Sequence, residues 1–299
     1  MSLHHNILAS AYYPLKLIYS VKNLFGSSNN RLRVLLYHDI SPDDQDCFAA
    51  QLRWLSRSWS FVTPKQFEAM ISGEEKIRGS NLLVTFDDGF ASNRVVAEQV
   101  LNPMKIKALF FVVSDFIELQ NRKESRDFIS KNIYYGPPPE LLPENWQNMT
   151  WADLEALLEQ GHCIGSHTRS HARLGLIDSQ SDLEREVISG ADILERRLGT
   201  SIDHFAYTFG DLRSFSDKAL ITARRRFRYI YSGLRGDNSS GVSPFALRRD
   251  CSALQDSQLN YKVFSNRLLG AFLEGAADFK YARDCASLDA WALSKDGAF

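Results

Sequence analysis

Hydrophobic residues along this chain fall into two kinds of pattern. The first is the short unbroken run. Val34-Leu35-Leu36-Tyr37, Leu82-Leu83-Val84-Thr85-Phe86 and Ala108-Leu109-Phe110-Phe111-Val112-Val113 show no polar alternation. Such runs predict strands covered on both faces, as in a parallel sheet. Cys163-Ile164-Gly165, His204-Phe205-Ala206-Tyr207, Tyr229-Ile230-Tyr231 and Phe245-Ala246-Leu247 are shorter candidates for the same role. The second pattern has helical spacing. Thr63-Pro64-Lys65-Gln66 joins a capping box to a proline at the first helical position, with Gly73 as the stop. Thr150-Trp151-Ala152-Asp153 opens another helix, with Trp151, Leu154, Leu157 and Leu158 on one face and Gly161 beyond its end. Leu183, Val187, Ala191, Leu194 and Leu198 step by four, four, three and four, which makes one helix face closed by Gly199.

Strands alternating with helices predict an α/β domain built on a parallel sheet or barrel. Active sites of such folds lie beyond the carboxyl ends of the strands, so the polar residues directly after each strand carry the chemical interest. Residues 118–149 are less regular and contain Pro137-Pro138-Pro139. They read as an insertion over one face that shapes a cleft. Residues 1–30 read as a helical extension and linker, 31–255 as the catalytic domain, and 256–299 as a C-terminal helical extension.

Composition narrows the function. Over 299 residues the formal net charge is −1, so no global field recruits nucleic acid and no nucleic-acid partner is expected. Cys47, Cys163, Cys251 and Cys285 form no CxxC pair and read as reduced thiols. The apolar stretch from Ile7 to Phe25 is interrupted by Pro14, Lys16 and Lys22, so it is no conventional transmembrane helix. It also lacks the basic start of a signal peptide. Two readings fit it: packing against the main domain, or lying in a membrane interface, with peripheral membrane contact through residues 7–25. These features predict a cytoplasmic chain, or one peripheral on the inner membrane face.

Two motifs at expected strand ends suit catalysis. Phe86 is followed by Asp87-Asp88-Gly89. Adjacent carboxylates at a buried strand end are costly unless a cation neutralises them. Neighbouring side chains in extended chain point opposite ways, so one Asp is placed to bind metal while the other faces elsewhere in the pocket. Gly89 permits a sharp turn. The plainer alternative is a polar loop whose Asp caps the next helix. The second motif is Gly165-Ser166-His167-Thr168-Arg169-Ser170-His171. Histidines four apart share one face of a helical turn, and such pairs suit Zn²⁺. The alternative is a pair of surface histidines. His167, His171 and one Asp would make three protein ligands and leave positions open for water and substrate. Arg224-Arg225-Arg226-Phe227-Arg228 reads either as cations at a helix carboxyl end or as a contact for an anionic substrate.

Taken together, Thr85-Phe86-Asp87-Asp88-Gly89 and Ser166-His167-Thr168-Arg169-Ser170-His171 resemble the paired motifs of the polysaccharide deacetylase (NodB-homology) family, carbohydrate esterase family four, over roughly residues 32–250. The resemblance implies a distorted (β/α) barrel of about seven parallel strands. It implies Asp87 as general base, and Asp88, His167 and His171 as ligands of a divalent metal, usually Zn²⁺. The implied reaction removes the acetyl group of an amino sugar in a polysaccharide, oligosaccharide or lipid-linked glycan, so the partner is an N-acetylated carbohydrate.

Phe205-Ala206-Tyr207-Thr208-Phe209-Gly210-Asp211 corresponds to the family's oxyanion motif, with the backbone N–H of Phe209 as donor. Thr208 stands where many relatives have Pro, and Ala206 where many have Arg. Arg249, at the end of Pro244-Phe245-Ala246-Leu247-Arg248-Arg249, aligns as the residue that orients Asp87, with a solvated Arg248-Arg249 pair as the alternative. No His follows His204, so the late Leu-x-His motif that gives many relatives their general acid is missing. His38, in Leu35-Leu36-Tyr37-His38-Asp39, matches an early Tyr-His motif and takes that role, with Asp39 beside it to orient it. The metal site does not distinguish the acyl groups, so deformylation or O-acetyl ester hydrolysis on a related sugar stays open, and Thr208, Ala206 and the missing late His keep open glycan binding by a catalytically degenerate chain.

Overall fold

The computed structural model describes residues 7, 9–17, 30–239, 241–251, 254–255, 262–263 and 265–294. The long apolar runs become β1 (Arg31–Tyr37), β3 (Ser80–Phe86) and β4 (Leu109–Val112), with the short β2 (Ser60–Phe61) beside β3. β5 (Cys163–Ser166), β6 (His204–Ala206), β7 (Tyr229–Tyr231) and β8 (Asp250–Cys251) follow. Their order is β7-β6-β5-β4-β3-β1-β8, and every pairing in this sheet is parallel. These seven strands curve into the distorted half-barrel expected from the motifs. Leu247 bridges Tyr231 of β7 in parallel, and Asp250 and Cys251 then pair with Leu35 and Leu36 of β1. The 247–251 segment thus spans the gap between the two edge strands. Phe245-Ala246-Leu247 is not itself a strand. Ser243 takes the N–H of Phe245 with its hydroxyl and the N–H of Ala246 with its carbonyl, and this turn leaves Leu247 alone to bridge.

Side-chain alternation divides the core in two. Leu32, Val34, Leu83, Leu109, Phe111 and Tyr231 fill the barrel interior against Phe67 and Met70. Leu35, Leu82, Val84, Phe110, Phe205 and Ile230 face outward into the helices. Helix ends follow the expected chemistry. Thr63 and Gln66 cap each other before the helix Pro64–Ser72, and Gly73 ends it at φ 81°. Thr150 and Asp153 do the same before Trp151–Glu159. The Leu183–Leu198 face is buried as expected up to Leu194, but a π turn over Arg185–Ser189 interrupts the helix.

The terminal segments pack on this body. Ala9 clusters with Leu268, Phe272 and Ala277, and the Tyr12 ring lies 5.2 Å from that of Trp54. Of the two readings of the N-terminal stretch, packing describes residues 9–17, and residues 18–25 lie outside the described ones. Among the described residues no helix is long and apolar enough to cross a membrane. Helices Asn266–Leu273 and Asp278–Ser294 add Leu269, Leu273, Leu288 and Ala292 to the outer core. A buried ion network ties them to the barrel: Arg33 bonds Asp250 at 2.7 and 2.8 Å and Asp278 at 2.7 Å, and Arg235 reaches Asp250 at 2.9 Å. Such a network is stable only when each charge is paired, and it fixes the strand end that carries the neighbouring Arg249. Among the described residues no disulfide is formed.

Candidate active site

The site is assembled from loops directly after the strands. Asp87 leaves β3 with its N–H bonded to the Tyr37 carbonyl at 2.9 Å. Asp88 then takes a left-handed conformation at φ 75°, and Gly89 continues it at φ 97°. A Cβ at Gly89 would lie 3.0 Å from Ile117 Cδ1 and 3.4 Å from Val112, so both the turn and the space require glycine. This reversal changes the expected geometry. The extended-chain reading sends the two carboxylates apart. In the structure Asp87 Oδ2 and Asp88 Oδ1 each lie 3.6 Å from His167 Nε2, because the chain is no longer extended at Asp88.

His167 follows β5, with its N–H on the Val112 carbonyl at 2.9 Å. His171 reaches the same place, but not on a helical turn. The loop bends through left-handed Thr168 (φ 64°) and His171 (φ 66°). Buried Glu186, placed by the π turn, accepts from Ser170 N–H and Ser170 Oγ, both at 2.9 Å. Asn132 Nδ2 donates to the Ser170 carbonyl at 3.0 Å, and Arg169 pairs with Asp115 at 2.9 Å.

Backbone carbonyls set the histidine tautomers. His167 Nδ1 donates to the Ala206 carbonyl at 2.8 Å, and His171 Nδ1 to that of Asn132 at 2.6 Å. A carbonyl only accepts, so each Nδ1 carries a proton, and in the neutral ring the lone pair is on Nε2. His171 Nε2 lies 3.4 Å from Asp88 Oδ1, and the ligand atoms of Asp88, His167 and His171 fall within 4.8 Å of one another. Asp88 Oδ1 is buried without a hydrogen-bond partner. Burial pushes the His167 imidazole down to about 4, so it is neutral at pH 7. Burial alone would raise the Asp88 carboxyl, but the imidazoles of His171, His38 and His167 hold it below the ordinary carboxylate range. Three buried ligand atoms converging on one point, with Asp88 Oδ1 left unpartnered, fit a divalent cation.

Asp87 is clamped from behind. Arg249 Nη1 and Nη2 donate to its two oxygens at 2.6 and 2.9 Å, and Arg249 Nε donates to the Ser232 carbonyl at 2.8 Å. Arg249 is buried, so it is no member of a solvated pair, whereas Arg248 turns to the Asp237 carbonyl at 2.9 Å and to Asp289. Phe209 is left-handed at φ 63°, and among the described residues its N–H makes no hydrogen bond. Gly210 packs so closely on Gly233 that a Cβ would sit 2.3 Å from the Gly233 nitrogen. Thr208, in place of the common Pro, ties this loop to the histidine loop through Oγ1 to the Ala172 carbonyl at 2.7 Å. A side-chain tether thus stands where relatives use a fixed φ.

His38 is half-buried in the same cleft, and among the described residues its ring makes no hydrogen bond. Asp39 points elsewhere. Its carboxylate accepts from Ser92 Oγ at 2.7 Å and Trp146 Nε1 at 3.0 Å. The 118–149 segment therefore docks on the β1 loop and forms a cleft wall through Ile133 and Tyr134. Sequence reasoning missed Tyr134, Glu186 and the Asn132 carbonyl. The Tyr134-Tyr135 pair in an irregular segment was a usable signal for the first, whereas a backbone acceptor leaves none. His162 and His204 lie away from the site, His162 on Ala108 N–H at 3.0 Å and His204 on Glu68 at 2.9 Å. In the basic cluster Arg226 is spent on Asp192 and Glu195.

Comparison with known proteins identifies the family and the fold. The family model for polysaccharide deacetylases matches residues 75–229, just over half of the chain. A Bacillus subtilis (strain 168) protein, YxkH, bears the name of a polysaccharide deacetylase and is 26% identical over 161 residues. That match covers 52% of this chain and 48% of YxkH, so the chain spans about half the length of that relative. IcaB from Ammonifex degensii superposes with a TM-score of 0.61 at 22% identity, over 83% of this chain and 98% of IcaB. The Streptococcus pyogenes deacetylase PplD, solved with acetate, gives 0.57 at 20% identity, over 73% of this chain and 91% of PplD. At these identities the two solved structures establish the shared fold.

Proposed function

Because the chain belongs to the polysaccharide deacetylase family, we propose that it is a metal-dependent N-deacetylase hydrolysing the acetamide of an amino sugar within a saccharide. The observation that carries this reading is the convergence of three buried ligand atoms, on Asp88, His167 and His171, beside a carboxylate clamped by arginine. A divalent cation in this two-nitrogen, one-oxygen donor set, Zn²⁺ by preference, supplies Lewis acidity to the acyl carbonyl and the attacking water.

The chain's own residues do the rest. Asp87 lies beside the ligand set and accepts the proton of the attacking water. Arg249 holds both of its oxygens, so the carboxylate presents one orientation to that water. The unspent N–H of Phe209 is the donor for the oxyanion that develops on the acyl oxygen. His38, free in the cleft, gives a proton to the leaving nitrogen. The products are acetate and a free amine.

The test is acetate release from N-acetylglucosamine oligomers, with metal content measured on the same sample. Chelation should abolish release and Zn²⁺ should restore it. Asp87→Asn should keep the metal and lose turnover. Full turnover by metal-stripped protein would overturn the metal role. Release of formate alone, or release from O-acetyl esters alone, would reassign the acyl group.

A further inference from the structure

We propose that Asn132 and Glu186 are positioning residues for the metal ligand His171. Two π turns deliver them to the Ser170-His171 pair, and this clamp sets both the affinity for the divalent cation and the order of the cleft wall over residues 129–136. The inference rests on the metal-dependent reading above and extends it to residues outside the ligand set.

The ligands are not held alike. His167 is fixed by the sheet: its N–H bonds the carbonyl of Val112 in β4 at 2.9 Å, and its Nδ1 bonds that of Ala206 in β6 at 2.8 Å. His171 lies further along the same loop, beyond left-handed Thr168, and is itself left-handed at φ 66°. Its Nδ1 donates to the Asn132 carbonyl at 2.6 Å, while Asn132 Nδ2 donates to the Ser170 carbonyl at 3.0 Å. Glu186 accepts the N–H and the Oγ of Ser170, both at 2.9 Å. Among the described residues, the hydrogen bonds of this pair outside the ligand set thus go to elements that are no part of the sheet. One arm of the metal site stands on the barrel and the other on its surroundings.

Both partners come from π turns, Ile129–Ile133 and Arg185–Ser189. Such turns are rare and collect at functional sites. In the first, Asn132 lies in the last turn of its helix, where carbonyls lack helical donors, so its oxygen is available to His171. Tyr135 then turns left-handed at φ 47°, with its ring 5.6 Å from that of Phe209, and the Gly136 N–H closes the turn on the Ser130 carbonyl at 3.2 Å. In the second, Gly190 follows directly, and a Cβ there would lie 3.0 Å from the Arg169 nitrogen, so the helix backbone rests against the histidine loop. Glu186 is only 3% exposed. A carboxylate buried this deeply is costly unless hydrogen-bonded, and among the described residues its hydrogen bonds go to Ser170 alone. The coupling runs both ways. Whatever factor the closed clamp adds to ion affinity, the bound ion adds to closure of the clamp. Ion occupancy therefore also orders Ile133 and Tyr134, the wall residues that follow Asn132.

Zn²⁺ affinity is measured by competition with a chromogenic chelator on the full chain. Asn132→Ala removes the bond to the Ser170 carbonyl, and Glu186→Ala removes both bonds to the Ser170 N–H and Oγ. Each should weaken Zn²⁺ binding about 10–100-fold. Glu186→Gln can accept from the N–H and donate to the Oγ, so it should stay within about threefold of wild type. His162→Gln lies away from the site and should leave affinity unchanged, and a loss there equal to that of Glu186→Ala overturns the clamp as mere destabilisation. By hydrogen exchange, Zn²⁺ should slow the amides of residues 129–136 at least about tenfold in wild type and less than about threefold in the Asn132→Ala, Glu186→Ala double variant. Should Glu186→Ala not fold, Asn132→Ala, at a half-buried position, carries the test alone. Affinities within about threefold of wild type in the alanine variants, or exchange over 129–136 that ignores Zn²⁺ in wild type, overturn the clamp. Clamp-dependent Zn²⁺ binding without acetate release by wild type sinks the deacetylase reading and leaves the clamp standing. A wild-type chain that binds no Zn²⁺ overturns both.

Discussion

Arg249→Lys tests how the general base is held. The substitution keeps a positive charge and removes the fork. Wild-type Arg249 makes three hydrogen bonds, two to Asp87 at 2.6 and 2.9 Å and one to the Ser232 carbonyl at 2.8 Å. A lysine ammonium can keep one contact with Asp87 but cannot span both of its oxygens and the carbonyl behind. Two charge-assisted bonds are lost, each worth about 1.5–3 kcal/mol in a buried setting. The residual ion pair offsets part of this, so the expected loss of unfolding free energy is about 2–4 kcal/mol.

The catalytic effect is separable. With one oxygen released, Asp87 can swing away from the attacking water, and a displacement of about 1 Å costs about 10²-fold in rate. Arg249 is buried behind Asp87, so KM should change by less than about threefold while kcat falls about a hundredfold. Metal content should not change, because Asp88, His167 and His171 are untouched. Steady-state acetate release, elemental analysis and urea unfolding at 25 °C on one preparation measure all three quantities. A kcat within about threefold of wild type, in protein of normal metal content, would refute the positioning role.

Three further outcomes follow from the same geometry. His38→Ala should retain metal and lower kcat by about 10²–10⁴-fold, most for poor amine leaving groups, and normal turnover would remove His38 as the acid. Gly89→Ala places a methyl 3.0 Å from Ile117 at φ 97°, and should shift urea unfolding by about 2 kcal/mol, whereas a shift below about 0.5 kcal/mol would show that the turn relaxes. His162 is held near 4 by burial and by the nearby cations Lys107 and Arg94, below its ordinary 6.5. Its Nδ1 accepts from Ala108 N–H and so must stay unprotonated in the fold. Since the folded pKa is depressed, this contribution is complete above pH 6.5 and is lost as pH falls through about 4. It amounts to at most about 3 kcal/mol. Unfolding free energies of wild type and His162→Gln should therefore converge between pH 6.5 and 4, and parallel curves would count against it.

How far the sequence could be read depended on whether side chains or backbone carried the information. The β1, β3 and β4 runs were legible because strands buried on both faces leave no polar alternation. The caps at Thr63 and Thr150 were legible because the capping box is a side-chain signature. Asp88, His167 and His171 could be grouped before the fold was known, and the structure brings them together. Their local geometry could not be grouped in this way. Nothing in Asp87-Asp88 announces a left-handed second residue, and His167 and His171 meet through a bent loop where helical spacing suggested a turn. The π turn that delivers Glu186 keeps an ordinary helical period, so it is silent. Asp39 seemed placed to orient His38, but Trp146, 107 residues away, claims it. Contacts of that kind are set by tertiary packing alone.

The distribution of backbone strain shows what the fold spends its rigidity on. Among the described residues six non-glycine positions have positive φ: Asp88, Lys105, Tyr135, Thr168, His171 and Phe209. All but Lys105 lie at the candidate site or its rim. At about 1–3 kcal/mol each, five such positions cost a sizeable part of the roughly 5–15 kcal/mol that keeps a domain folded. The reason is geometric. A strand end leading into a right-handed helix carries its next side chains outward to the helix layer. One left-handed step reverses the chain at once and keeps successive side chains over the barrel mouth. That is how Asp87 and Asp88 come to face one imidazole, and how His171 returns to the place where His167 already points. The strain persists because both sides of each loop are tied: Glu186 to Ser170, Thr208 to Ala172, and Arg249 to Asp87 and Ser232. The buried ion network of Arg33, Asp250, Asp278 and Arg235 belongs to the same account, since it anchors the strand that presents Arg249.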